Sequence, residues 1–104
     1  MSGSDQDRVK LDLNNPVFQN NLFKLQKNEQ VAILGTLRKI SQMSWEQVYT
    51  DQGLKWEAII SRTGPHGGRL YTFRIGKGFR AVACRERDWM RILSLHPDHD
   101  SAYR

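Results

Sequence analysis

The densest run of reactive side chains in this sequence is His96-Pro97-Asp98-His99-Asp100-Ser101-Ala102-Tyr103, directly after an apolar segment. An imidazole exchanges a proton near neutral pH, an adjacent carboxylate can orient it or raise its pKa, and a tyrosine can donate or position a proton. RNA cleavage needs such parts: the 2′-hydroxyl is an internal nucleophile, a base removes its proton, cations stabilise the charged phosphorane, and an acid protonates the leaving 5′-oxygen. His96, His99, Asp100 and Tyr103 are therefore the candidate proton-handling groups. The same residues also permit a plainer reading, a turn in which Asp98 or Asp100 caps backbone groups and His99 is solvated.

Cations stand in the segments that lead up to this run. Residues 1–54 carry six Lys or Arg against six Asp or Glu, whereas residues 55–104 carry ten against five, so the whole net charge of +5 belongs to the second half. A local excess of that kind attracts polyanions. Arg74 and Arg80 flank Gly76-Lys77-Gly78 and suit bidentate phosphate contacts. Lys55, Arg69, Lys77 and Arg91 are the further candidates for binding an RNA backbone.

Elements that must position these groups can be read from periodicity and punctuation. Val9, Leu11 and Leu13 alternate with charged residues, the period of a short half-buried strand. Asn15-Pro16 starts a helix whose stripe is Phe18, Leu22 and Leu25. A second helix, with Asn28 as its cap, carries Ile33, Leu37 and Ile40, widened by Val31 and Leu34. Ser44 and Gln47 have capping-box spacing, which predicts a helical turn over 45–51. From residue 55 the pattern changes to strands at 56–61, 70–75, 79–85 and 89–95, with an obvious loop at 63–68 and tight turns at 76–78 and 86–88. Strict alternation places Leu70, Thr72 and Arg74 on one face of their strand and Tyr71, Phe73 and Ile75 on the other. In the next strand Arg80, Val82 and Cys84 oppose Phe79, Ala81 and Ala83. In the last, Arg91, Leu93 and Leu95 oppose Met90, Ile92, Ser94 and His96. The predicted fold is α+β: an N-terminal strand and two helices packed on a small antiparallel sheet, one sheet face on the helices and the other presenting Arg74, Arg80 and Arg91.

Composition bounds the remaining possibilities. The 104 residues have room for one domain, expected over 8–104, after a small polar segment at 1–7 that should be flexible. The single cysteine excludes an internal disulfide and, within Ala81-Val82-Ala83-Cys84, reads as a buried small hydrophobe. No apolar run approaches a membrane span and no signal-peptide pattern appears at the start, so a cytoplasmic protein is expected. Neither a CxxC pair nor a Walker-type glycine loop is present, and His66, His96 and His99 lack ligand-type spacing; no metal and no cofactor is predicted.

Three segments together resemble one family: Leu54-Lys55-Trp56-Glu57, the run from Leu70-Tyr71-Thr72-Phe73-Arg74 through Gly76-Lys77-Gly78-Phe79-Arg80 to Val82, and the ending His99-Asp100-Ser101-Ala102-Tyr103. They look like the RelE/ParE superfamily of bacterial toxin–antitoxin toxins, the ending like the His-Asp-x-Ala-Tyr ending of one RelE-like branch. The resemblance implies a ribosome-dependent mRNA endonuclease that inhibits translation and is itself inhibited by a cognate antitoxin covering the basic surface. It further implies that Arg74 and Arg80 contact the scissile phosphate, and that His99 and Tyr103 supply acid, base or stacking groups, with His96 a rival for the histidine role; the adjacent Asp100 is the candidate orienter of His99. Two other readings stay open: a ParE-like inhibitor that blocks a topoisomerase by contact without catalysis, and a noncatalytic module that binds RNA or antitoxin.

Overall fold

Alternating apolar and polar residues at Val9–Leu13 give only a short strand, because Asp12 and Asn14 turn the chain at once: the Asp12 carboxylate accepts from the Asn14 amide at 3.0 Å. The computed structural model describes residues 8–64 and 67–97, and only the backbone at positions 61 and 62. The predicted flexible segment at 1–7, Pro65 and His66 of the predicted loop, and His99, Asp100 and Tyr103 lie outside the described residues.

The elements run β1 (Lys10–Asp12), α1 (Pro16–Lys24), α2 (Lys27–Ser41), α3 (Trp45–Thr50), β2 (Glu57–Thr63), β3 (Arg69–Gly76), β4 (Phe79–Glu86) and β5 (Trp89–His96). Their caps are local. Asn15 Oδ1 accepts from the Val17 and Phe18 amides at 2.7 and 3.2 Å, and Pro16 fills the first helical position, where no N–H is required. Helix α2 begins two residues earlier than its expected Asn28 cap allows. Gln26 is the cap, and the Glu29 carboxylate accepts from its amide at 2.9 Å. At α3 the Ser44 and Gln47 side chains each bond the other's backbone amide, the reciprocal box that the spacing predicted.

Strands β2 to β5 form an antiparallel meander, and β1 adds a parallel edge beside β5, giving the order β1-β5-β4-β3-β2. Helices cover one face. Phe18, Ile33, Leu37 and Ile40 from α1 and α2 meet Phe73, Phe79, Ala81, Ala83, Met90, Ile92 and Leu95 from the sheet in one core, which Trp45, Val48 and Leu54 extend. The small residues Ala81 and Ala83 in the middle of β4 leave room for the helices' larger side chains. A second, smaller cluster of Ile59, Leu70, Val82 and Cys84 lies on the opposite face, with Leu93 packed against it. Cys84 is thus a buried hydrophobe as expected, and burial pushes its thiol pKa up.

Two expectations are corrected here. Val31 and Leu34 do not widen the buried stripe of α2 but face outward, 64% and 57% exposed. A β-bulge between the Val82 and Ala83 rungs leaves Leu93 as an extra residue in β5. Leu93 and Ser94 consequently share a face, and every residue after them changes sides relative to strict alternation. Leu95 packs into the helix-side core, while Ser94 and His96 join Val82 and Arg80 on the open face.

Helix α2 also carries Gly35 at an exposed position where an added Cβ would meet nothing within 4 Å. Glycine in a helix interior is less favourable than alanine by about 0.5–1 kcal/mol. Gly35→Ala should therefore raise the thermal midpoint by a few degrees, measurable by circular dichroism, and leave any activity of the sheet face unchanged.

Candidate functional site

The open face gathers its polar residues into two adjacent rows. Arg74, Arg80 and His96 are register partners across β3, β4 and β5. Beside them Glu57, Thr72, Val82 and Ser94 form the next row, across four strands. With neighbouring strands spaced about 4.8 Å apart, the backbones of Arg74 and His96 stand about 10 Å from one another, with Arg80 between them.

Arg80 is the centre of this arrangement and only 7% exposed. One terminal guanidinium nitrogen donates to Thr72 Oγ1 at 2.8 Å and to the Lys55 carbonyl at 3.2 Å, and lies 3.6 Å from Glu57 Oε1. Its Nε is buried and finds no hydrogen-bond partner among the described residues. A buried cation must be compensated. Thr72, itself buried, the Lys55 carbonyl and Glu57 supply that compensation and fix the plane of the guanidinium.

Lys55, Arg74, Gly76, Gly78 and Arg80 line an open concavity of about 170 Å³. Three of the five lining residues are cationic and none is acidic. Gly78, at φ 73°, takes the left-handed backbone that the Lys77-Gly78 turn requires. Lys55 is left-handed too, at φ 49°, and the loop that carries it is pinned on several sides. The Leu54 carbonyl accepts from the Arg74 amide at 2.6 Å, and Leu54 is buried in the core. Asp51 Oδ2 accepts from the Leu54 amide at 2.8 Å and from Lys39 Nζ at 3.0 Å. The Lys39 bond, then the Leu54 amide, hold the Asp51 carboxyl below its ordinary pKa, so it stays an anion at neutral pH.

His96 is half-buried, and its Nε2 lies 2.8 Å from Ser94 Oγ, with the direction of the proton set by the tautomer. Behind it the Asn21 side-chain oxygen accepts from the Leu95 amide at 3.0 Å, tying the end of β5 to α1. The site is therefore built on strands and anchored loops, which hold side chains more closely than free loops do.

Of the residues singled out in the sequence, Arg74, Arg80, His96 and Lys55 come together. Lys77 is exposed in the hairpin turn beside them. Arg69 lies at the other end of β3, paired with Thr63, beside a separate hollow lined by Ala58, Ile59 and Ile60. Arg91 faces the same side as Arg80 but near the β1 edge, ion-paired to Glu86 at 2.7 Å and Asp12 at 3.4 Å. His99, Asp100 and Tyr103 follow Pro97, outside the described residues. Glu57, Thr72 and Ser94 were given no role in the sequence reading. For Thr72 the alternation with Arg74 was the available signal; for Ser94 the bulge concealed it.

No protein-family model matches the sequence, and no curated protein matches it. Solved structures do resemble the fold. The chain in a crystal structure of an archaeal RelE–RelB complex from Pyrococcus horikoshii superposes with a TM-score of 0.58 at 20% identity, covering 88% of this chain and 94% of that one. A copper-bound mutant toxin from Helicobacter pylori superposes with a TM-score of 0.50 at 18% identity, covering 89% and 97%. On these two likenesses the chain shares its α+β fold with both structures.

Proposed function

We propose that this chain is the toxin of a toxin–antitoxin pair and acts as a metal-independent endoribonuclease on mRNA at the ribosome, blocking translation, with a cognate antitoxin as its inhibitor. The observation that carries this reading is the row of Arg74, Arg80 and His96 beside a concavity lined only by cations and glycines. A phosphate seated there meets Arg74, Lys55 and the edge of Arg80, so charge accumulating on a phosphorane is met by donors already in place. The 2′-oxygen attacks phosphorus as its proton passes to a base, the bond to the 5′-oxygen breaks, and an acid protonates that oxygen, leaving a cyclic phosphate and a free 5′-hydroxyl. His96 stands within the row to transfer one of those protons. Glu57, an exposed carboxylate ion-paired with Arg80, is a second group there able to accept one. His99, with Asp100 as orienter, and Tyr103, as a positioning or stacking group, complete the proposed set from the sequence.

Purified protein incubated with ribosomes and mRNA should produce discrete cuts, mapped by primer extension. Comparing His96→Ala with His99→Ala then assigns the proton carrier: its loss should lower the cleavage rate roughly 100-fold or more and remove one limb of the pH–rate profile. Absence of any cleavage would overturn the reading. Toxicity that survives without cleavage and without either histidine would instead identify a contact inhibitor.

A further inference from the structure

Cations and aromatic rings meet solvent at a second place, the far end of the β4–β5 hairpin. Trp89 opens β5, a strand paired on both sides, and is 46% exposed. Lys10 is its partner across the parallel β1–β5 ladder, with Nζ 5.9 Å from the ring centroid. Arg87 lies exposed in the turn just before it, at φ 57°.

That turn is rigidly held. The Asp88 carbonyl accepts from Trp45 Nε1 and from the Lys10 amide, each at 2.9 Å, and the Arg87 carbonyl accepts from Arg85 Nε at 2.6 Å. A left-handed backbone is costly for a residue with a side chain, and glycine would be the ordinary choice. Among the described residues, Lys55 and Arg87 are the non-glycine positions with positive φ. Both are exposed cations on anchored loops, one beside the Arg80 concavity and one at the opposite end of the sheet.

Register connects the two ends. Trp89, Arg91, Ser94 and His96 pair with Glu86, Cys84, Val82 and Arg80 in turn, so Trp89 and Arg80 point from the same face. Six residue steps along β4 separate their rungs, a span of roughly 20 Å and therefore several nucleotides. Arg91, between them, is neutralised by Glu86 and Asp12, which leaves the two ends as distinct points of attachment.

We propose that the Lys10–Arg87–Trp89 end is a second RNA contact, at which an unpaired base stacks on Trp89 while Lys10 and Arg87 meet the neighbouring phosphates. An exposed indole flanked by cations fits a single strand, since a paired base offers no free face. The inference rests on the RNA reading of the Arg80 site, and it adds the place where the strand is gripped away from the scissile bond.

The test is fluorescence anisotropy with a labelled 2′-O-methyl oligouridylate, which cannot be cleaved by attack of its own 2′-oxygen. Trp89→Ala should weaken binding about tenfold and Trp89→Phe should restore most of it. Lys10→Ala and Arg87→Gly should each reduce the salt dependence of binding by about one phosphate contact. Arg87→Gly also relieves the left-handed backbone, so its melting temperature should not fall, and weaker binding by it cannot be laid to unfolding. Unchanged affinity in Trp89→Ala and Arg87→Gly, or no binding by the wild type, overturns this inference. Ribosome-dependent cleavage alone decides the function proposed above, so the two can fail separately.

Discussion

Arg80→Ala is expected to lower mRNA cleavage by at least about 100-fold and to destabilise the fold by roughly 1–3 kcal/mol. The two effects come from different parts of one side chain. The guanidinium nitrogen that donates to Thr72 and to the Lys55 carbonyl is structural: without it a buried hydroxyl and the carbonyl of a pinned loop lose their donor. Arg80 also lines the concavity, and that is the side on which the proposed phosphate would meet it. Arg80→Lys separates the roles. An ammonium restores the charge but is a point donor on a flexible stem and cannot reproduce a planar fork held against Thr72, Lys55 and Glu57. It should therefore recover little of the cleavage. Thr72→Val is the complementary change. It removes one acceptor without touching the cation, should itself cost about 1–3 kcal/mol because the buried guanidinium loses a partner, and should reduce cleavage less than Arg80→Ala because the Lys55 carbonyl still orients the side chain. Urea unfolding and single-turnover cleavage, measured on the same preparations, check both halves. Cleavage by Arg80→Ala at the wild-type rate would remove Arg80 from the chemistry.

How far this site was legible in the sequence depended on whether the signal was local. The Asn15 cap, the Ser44–Gln47 box and the glycine-bounded hairpin at Lys77-Gly78 depend on residues a few positions apart, and their side chains suffice to specify them. Arg74 and Arg80 were readable as neighbours because they flank Gly76-Lys77-Gly78, but the rung they share depends on a register shift between Arg74 and Gly76 that the tight turn alone does not give. Beyond the turn, one extra residue was enough to defeat the reading. Strict period 2 puts His96 with Met90 and Ile92, under the helices, whereas the bulge at Leu93 carries it to the Arg80 side. The bulge is a tertiary decision: Met90, Ile92 and Leu95 all fit the helix-side core only if one residue between Ile92 and Leu95 goes unpaired. Val31 and Leu34 failed for a related reason. Apolar type alone does not say which side of α2 the sheet will occupy. The depth of Arg80, and its dependence on a carbonyl 25 positions earlier in the chain, had no local trace.

Phe73→Ala should be the most damaging single truncation in the core that supports the site, lowering stability by about 3–5 kcal/mol. Phe73 is fully buried in the middle of β3, packed in the helix-side core and stacked against Trp56 with ring centroids 6.4 Å apart. Trp56 in turn stacks on Tyr71 at 4.6 Å and meets Trp45 edge-on at 5.5 Å. Removing one ring thus loosens a cluster that joins α3, the loop before β2, and β3. A domain of this size has roughly 5–15 kcal/mol of stability in all, so the loss should bring the melting temperature near the working range. The consequence for function follows from strand geometry. Thr72 and Arg74 flank Phe73 and point to the other face, so the residue that anchors β3 in the core also aims Arg74 at the concavity and Thr72 at the Arg80 guanidinium. At low temperature, where the variant remains folded, cleavage should be retained within about tenfold, and it should vanish along with the near-ultraviolet signal of the aromatic cluster on warming. A variant that melts like the wild type would show that the cluster closes over the cavity. Loss of cleavage while the cluster remains intact would mean that the Phe73 ring positions Arg74 or Thr72 more directly than packing alone requires.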